Sequence, residues 1–143
     1  MMQTEESLVI VNRWIAAFNA HDVAAIVALY ADDAELSDPG MKKRLCRGRT
    51  EIEQWFTTRF RTMPTIAYTP HEHIAADEYA VVTWTARAIN RRLLGIPRSF
   101  LVDGVSIFTL RSGLIQRQRG YYDHLAAVEQ ILPLVKWLLP SRV

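Results

Sequence analysis

Along the first half of the chain the apolar residues fall on a helical period. Leu8, Val11, Ile15 and Phe18 recur at three- to four-residue spacing with Asn12 and Arg13 between them, and Thr4 is placed to cap the start of that helix. After a break at Asn19-Ala20-His21, Asp22 can cap a second helix whose buried stripe is Val23, Ile26, Val27, Leu29 and Tyr30, ending at Asp32-Asp33. Ala34 to Ser37 reads as a short strand stopped by the turn Asp38-Pro39-Gly40, and a basic loop with Lys42, Lys43, Arg44 and Arg47 follows. Thr50 with Glu53 forms a capping-box pattern ahead of Ile52, Trp55, Phe56 and Phe60, a third amphipathic helix closed by Pro64.

From Thr65 the period shifts towards two, and β-branched and aromatic residues accumulate. Four strands are expected, over Thr65 to Ala75, Tyr79 to Ile89, Ser99 to Leu110 and Leu114 to Tyr122. The intervening Ala76-Asp77-Glu78, Asn90 to Pro97 and Arg111-Ser112-Gly113 are short enough to make neighbours antiparallel. A last helix runs from about Asp123 to Leu139, interrupted near Pro133. In the third of these strands both parities are apolar: Leu101, Val105 and Ile107 on one, Phe100, Val102, Phe108 and Leu110 on the other. A sheet apolar on both faces needs a cover on each, so helices and a pocket on one side and a second copy of the chain on the other are expected, making a homodimer.

Composition narrows the class. A chain of 143 residues, 50% hydrophobic and 22% charged, has the balance of one ordinary globular domain spanning 1–143. A net charge of +2 demands no nucleic-acid partner. One cysteine, Cys46, excludes an internal disulfide framework and suits a cytoplasmic setting. The polar start from Met1 to Ser7 does not read as a signal peptide, and the apolar stretch Leu125 to Leu139 is broken by Glu129, Pro133 and Lys136, so no membrane span is expected. No phosphate loop or nucleophile elbow is present, and His71 and His73 lack a third ligand at useful spacing, so neither cofactor nor metal is expected.

Three carboxylates stand out. Asp103 lies in an otherwise apolar strand, where a carboxyl must be hydrogen-bonded, paired or protonated; a structural pair with Arg87, Arg98 or Arg119 is the alternative. Asp38 either faces a pocket or serves as a turn residue before Pro39, and Asp123 either does chemistry or caps the last helix. Trp14, Phe18, Tyr30, Trp55, Phe56, Trp84 and Tyr121 are the candidate pocket-wall aromatics.

The run from Val11-Asn12-Arg13-Trp14 through Asn19-Ala20-His21-Asp22 to Ile26-Val27-Ala28-Leu29-Tyr30-Ala31-Asp32-Asp33-Ala34 and Asp38-Pro39 resembles the start of a ketosteroid isomerase. With three helices, a curved antiparallel sheet and a closing segment, the whole chain resembles the nuclear-transport-factor-two-like superfamily, which includes SnoaL-like polyketide cyclases and limonene epoxide hydrolases. The resemblance implies an α+β cone: three N-terminal helices and a C-terminal helix close an apolar pocket over the sheet. It places the isomerases' general base on Asp38 and their protonated oxyanion-hole carboxyl on Asp103, a pairing for which ketosteroid isomerase is itself the standard example. The oxyanion-hole tyrosine falls on Trp14 and a supporting tyrosine on Phe56, so both phenols are missing. Arg117-Gln118-Arg119-Gly120-Tyr121-Tyr122-Asp123 resembles an aspartate-bearing segment of limonene epoxide hydrolase, but Thr83-Trp84-Thr85-Ala86-Arg87 lacks that family's Arg-x-Asp partner.

Two main readings follow. One is a cofactor-independent, isomerase- or cyclase-like acid/base enzyme for a hydrophobic ring-containing carbonyl compound, with Asp38 as base. The other is a module that binds a small hydrophobic ligand or a protein partner without chemistry. Epoxide hydrolysis is a further alternative.

Overall fold

The computed structural model describes residues 2–90, 98–132 and 135–138. Helix α1 (Met2–Asn19) begins before Thr4, which is therefore internal to the helix rather than its cap. Its stripe of Ile10, Val11, Trp14, Ile15 and Phe18 is buried, as the spacing requires. Asp22 caps α2 (Val23–Val27) by accepting the Ala25 N–H at 3.0 Å, but this helix is a single turn. It does not continue to Asp32-Asp33, because Ile115 N–H bonds the Leu29 carbonyl at 2.8 Å and Tyr30 enters a strand, β1 (Tyr30–Ser37).

After a short β2 (Cys46–Arg47) comes α3 (Arg49–Thr62), which buries Ile52, Phe56 and Phe60. It starts at Gly48, whose φ of +82° suits glycine, and no side chain caps it there; the Thr50/Glu53 box is not used. Glu51 instead accepts the Arg47 N–H at 2.6 Å.

Strands β3 (Ala67–Ala76), β4 (Tyr79–Asn90), β5 (Arg98–Arg111) and β6 (Leu114–Tyr122) form the antiparallel meander that the period-two pattern predicts. Ser112 and Gly113, at φ +53° and +75°, make the tight β5–β6 turn with both central residues left-handed. Pro70 is tolerated because β3 is an edge strand, next to a register shift.

The six-stranded curved sheet runs β2-β1-β6-β5-β4-β3. It is not wholly antiparallel, since β1 lies parallel to β6. A parallel neighbour needs a long crossover, which the chain between them supplies. Helices α4 (His124–Ile131) and α5 (Val135–Leu138) follow, with α4 packed on β5. The segment between β4 and β5 after Asn90, the expected break at Pro133 and the chain beyond Leu138 lie outside the described residues.

In β5 one parity faces the helices: Phe100, Val102, Ser106, Phe108 and Leu110 are buried. The other faces outward, with Leu101 54% exposed. Among the described residues no helix is long and apolar enough to cross a membrane.

Gly104 has a steric role in this sheet. It stands opposite Trp84 on one side and Tyr122 on the other, and the Trp84 indole lies across it. A Cβ there would sit 2.3, 2.6 and 2.8 Å from three ring atoms. Trp84 is held by stacking on Tyr68 at 4.4 Å and by an indole N–H bond to Ser106 Oγ at 3.0 Å, so it has little room to yield. Gly104→Ala is expected to cost about 1–3 kcal/mol, as overpacked cores do. Urea unfolding of the variant checks this.

Candidate active site

An apolar cavity of about 240 Å³ opens between the inner sheet face, the end of α3 and α4. Phe100, Val102, Ala127 and Ile131 form much of its outer wall, and Arg59, Tyr68, Trp84 and Tyr122 stand at its inner end. Beyond Arg59, Tyr68 and Trp84 lies a second, very small chamber bordered by Asp38, Trp14, Phe18, Trp55 and Phe56. With about 10 Å³, that chamber has room for about one water molecule.

Asp38 is positioned by the turn that follows β1. Its Oδ1 accepts the Gly40 N–H at 2.8 Å, and its carbonyl accepts the Met41 N–H at 3.0 Å. The carboxylate therefore is a turn residue, but it does not face water. Oδ1 also accepts the Tyr122 hydroxyl at 2.8 Å, and Oδ2 accepts Arg59 Nη2 at 2.9 Å. The side chains of this ion pair are 11% and 10% exposed, so solvent screens it little. Arg59 also reaches the Tyr122 oxygen at 3.4 Å and lies over the Trp55 ring, 4.7 Å from its centroid.

The protonation states follow from burial and charge. Burial opposes the Arg59 charge, but Asp38, Tyr68 and Tyr122 outweigh it and hold the guanidinium above its ordinary range. For Tyr122, burial pushes the phenol up to about 12, with Arg59 pulling down and Asp38 pushing up. A cation, the Asp38 carboxyl group and a protonated phenol share one hydrogen-bonded cluster at the end of an apolar cavity.

The other sequence candidates separate. Asp103 is not enclosed: it is exposed on the outer face, accepting the Thr85 hydroxyl at 2.6 Å, with His71 bonded to the same Thr85 oxygen at 2.7 Å. Strand alternation explains this, because Val102 and Gly104 take the inward parity. Asp123 is exposed and caps α4, accepting the Ala126 N–H at 2.9 Å. Among the described residues no group of three or more His, Cys, Asp and Glu side chains converges on a point.

Trp14, Phe18, Trp55, Phe56 and Trp84 line the inner chamber. Tyr30 lies behind it, accepting the Trp14 indole N–H at 2.9 Å and donating to Gln118 Oε1. Tyr121 is 48% exposed on the outer face, and its neighbour Tyr122 takes the inward position. Arg59, Tyr68, Tyr122 and His124 were not singled out by sequence. Arg59 had a legible signal: it falls seven residues after Ile52 and four after Trp55, inside the apolar stripe of α3.

The fold is that of the ketosteroid isomerase-like, α+β cone class. A protein of that fold from Catenulispora acidiphila DSM 44928, crystallised with trimethylamine, is similar with a TM-score of 0.76 at 21% identity, over 85% of this chain and 90% of that one. TerC, co-crystallised with polyporic acid, is similar at TM-score 0.78 and 20% identity, over 89% and 98% of the two chains. A Xanthomonas campestris pv. campestris protein provisionally assigned as a polyketide cyclase matches at 0.75 and 17%, over 90% and 98%. Residues 11–118 match the model of the SnoaL-like domain, and the chain belongs to that family.

Proposed function

We propose that the protein is a cofactor-independent acid/base enzyme that moves a proton next to the carbonyl of a compact hydrophobic ring compound. The observation that carries this reading is the Asp38–Tyr122–Arg59 cluster, whose Tyr122 and Arg59 line an apolar cavity. Tyr122 lines the cavity and Asp38 stands one hydrogen bond behind it. A substrate C–H proton passes to the Tyr122 oxygen as the Tyr122 proton passes to Asp38, and the C–H electron pair moves into a new C=C bond. With a β,γ-unsaturated ketone, return of the proton at the γ-carbon as the C=O re-forms completes an isomerisation; alternatively, attack of the deprotonated α-carbon on a second carbonyl, whose oxygen takes the proton back, completes a cyclisation. A cavity of about 240 Å³ is below the roughly 300–1,000 Å³ usual for ligand sites, which favours one or two rings over a large polycycle.

A specific observation favours the second reading, binding without chemistry: both Asp38 oxygens already hold donors from Arg59, Tyr122 and Gly40. Incubating the protein with a panel of cyclic unsaturated ketones, quinones and epoxides separates the two. Acid/base catalysis predicts conversion of a ketone that also raises the melting temperature; raised melting temperatures with no conversion across the panel contradict it.

We further propose a homodimer through the outer sheet face, in a cytoplasmic setting. Exposed Leu101 and Tyr121, half-buried Val105 and Ile107, and both charge signs in Asp103 and Arg119 make that face suited to a second copy. Arg119 Nε is buried there without a hydrogen-bond partner among the described residues. Sedimentation at micromolar concentration is expected to give a dimer, and a monomer would refute it.

A further inference from the structure

We propose that the Tyr68 hydroxyl is the seat for the ligand's carbonyl oxygen, so that the cavity selects flat cyclic ketones and quinones over hydrocarbons of the same shape. The inference rests on the acid/base reading above and adds to it the group that meets the oxygen.

Tyr68 is fixed at both ends. Asn19 clamps its backbone, with Nδ2 donating to the Tyr68 carbonyl at 2.9 Å and Oδ1 accepting the Tyr68 N–H at 2.8 Å. Its ring is held between Phe18 at 4.1 Å and Trp84 at 4.4 Å, with interplanar angles of 8° and 11°. Only 8% of the residue is exposed, and it lines both the cavity and the inner chamber.

A buried tyrosine ordinarily finds a partner for its hydroxyl. The Tyr68 hydroxyl makes no hydrogen bond to the described residues, whereas Tyr30 and Tyr122 both have theirs. A donor this rigid and this unpartnered is set for an acceptor brought by the ligand, which is the condition for strong stabilisation of a developing charge. Burial pushes the Tyr68 phenol well above its usual range despite the pull of Arg59, so it remains a donor.

Arg59 strengthens the seat. Its Nη2 serves Asp38 and Tyr122, while Nη1 and Nε have no hydrogen-bond acceptor among the described residues, and the side chain borders the cavity. When the C–H proton leaves through Tyr122 to Asp38, the carbonyl electron pair moves onto oxygen. Tyr68 stabilises that oxygen by hydrogen bonding without giving up its proton.

The test uses 4-nitrophenol as a mimic of the enolate oxygen, with 4-nitrotoluene as a similar body lacking the hydroxyl. Tyr68→Phe is expected to weaken 4-nitrophenol binding about tenfold or more, the effect of losing a bond to a charged acceptor. Binding of 4-nitrotoluene should change little, and near-UV circular dichroism should show the aromatic stack retained. Tyr121→Phe, on the outer face, should leave both unchanged.

Equal affinity of Tyr68→Phe and the wild type for 4-nitrophenol would overturn the proposal, as would failure of the wild type to bind it at millimolar concentration. If Tyr68→Phe has no effect while Asp38→Asn abolishes turnover, the carbonyl seat is wrong and the acid/base reading stands. If Tyr68→Phe weakens binding while Asp38→Asn keeps turnover, the seat stands and the role of Asp38 falls.

Discussion

Arg59→Met is expected to lower the stability of the fold by about 3–5 kcal/mol, the cost of breaking a buried ion pair from one side. Methionine fills much of the arginine's volume and follows the same path over Trp55, so lost packing contributes little. The cost comes from the Asp38 carboxylate, left enclosed with only the Tyr122 hydroxyl and the Gly40 N–H as donors. Asp38→Asn strands the opposite charge, and its amide nitrogen would meet Arg59 donor to donor. The double variant should cost less than the sum of the two, because neither charge is then left alone. Urea unfolding of the four proteins checks the coupling, and strict additivity would show that the pair is better solvated than its burial indicates.

Asp38→Asn is also expected to reduce turnover by about 10²–10⁴, the usual contribution of a positioned general base. The amide keeps the shape of the carboxylate but cannot take the proton that Tyr122 passes on. Because the same change weakens the fold, turnover must be compared at a temperature where circular dichroism shows the variant folded. Arg59→Met supplies the control: it disturbs the same cluster while leaving the carboxylate, so a smaller loss of turnover is expected there.

Much of the container was legible in the sequence. The four meander strands and the turn at Ser112-Gly113 lie within about two residues of where period and turn chemistry put them. Asp38 in its turn and the aromatic lining of the inner chamber were legible too. The parallel pairing of β1 with β6 was not, because a partner remote in sequence leaves no local pattern.

The side of Asp103 could not be read from its own strand, where both parities are apolar. The cross-strand neighbours decide it: Gly104 must lie inside to make room for Trp84, which turns Asp103 out. Tyr121 and Tyr122 pose the same problem one residue apart, and registry with Gly104 selects Tyr122 for the interior. Arg59 is hard to read from sequence because long basic side chains on a helix are usually solvated, although its place in the apolar stripe marks it as enclosed.

The most direct measurement is deuterium exchange at the carbon next to the carbonyl of a two-ring ketone such as 2-tetralone, followed by NMR in D₂O. The wild type is expected to incorporate deuterium well above the buffer rate, and Asp38→Asn is expected to return the rate to that of buffer. Bound ketone with no enhanced exchange, or undiminished exchange in Asp38→Asn, would contradict the assignment of proton transfer to this cluster.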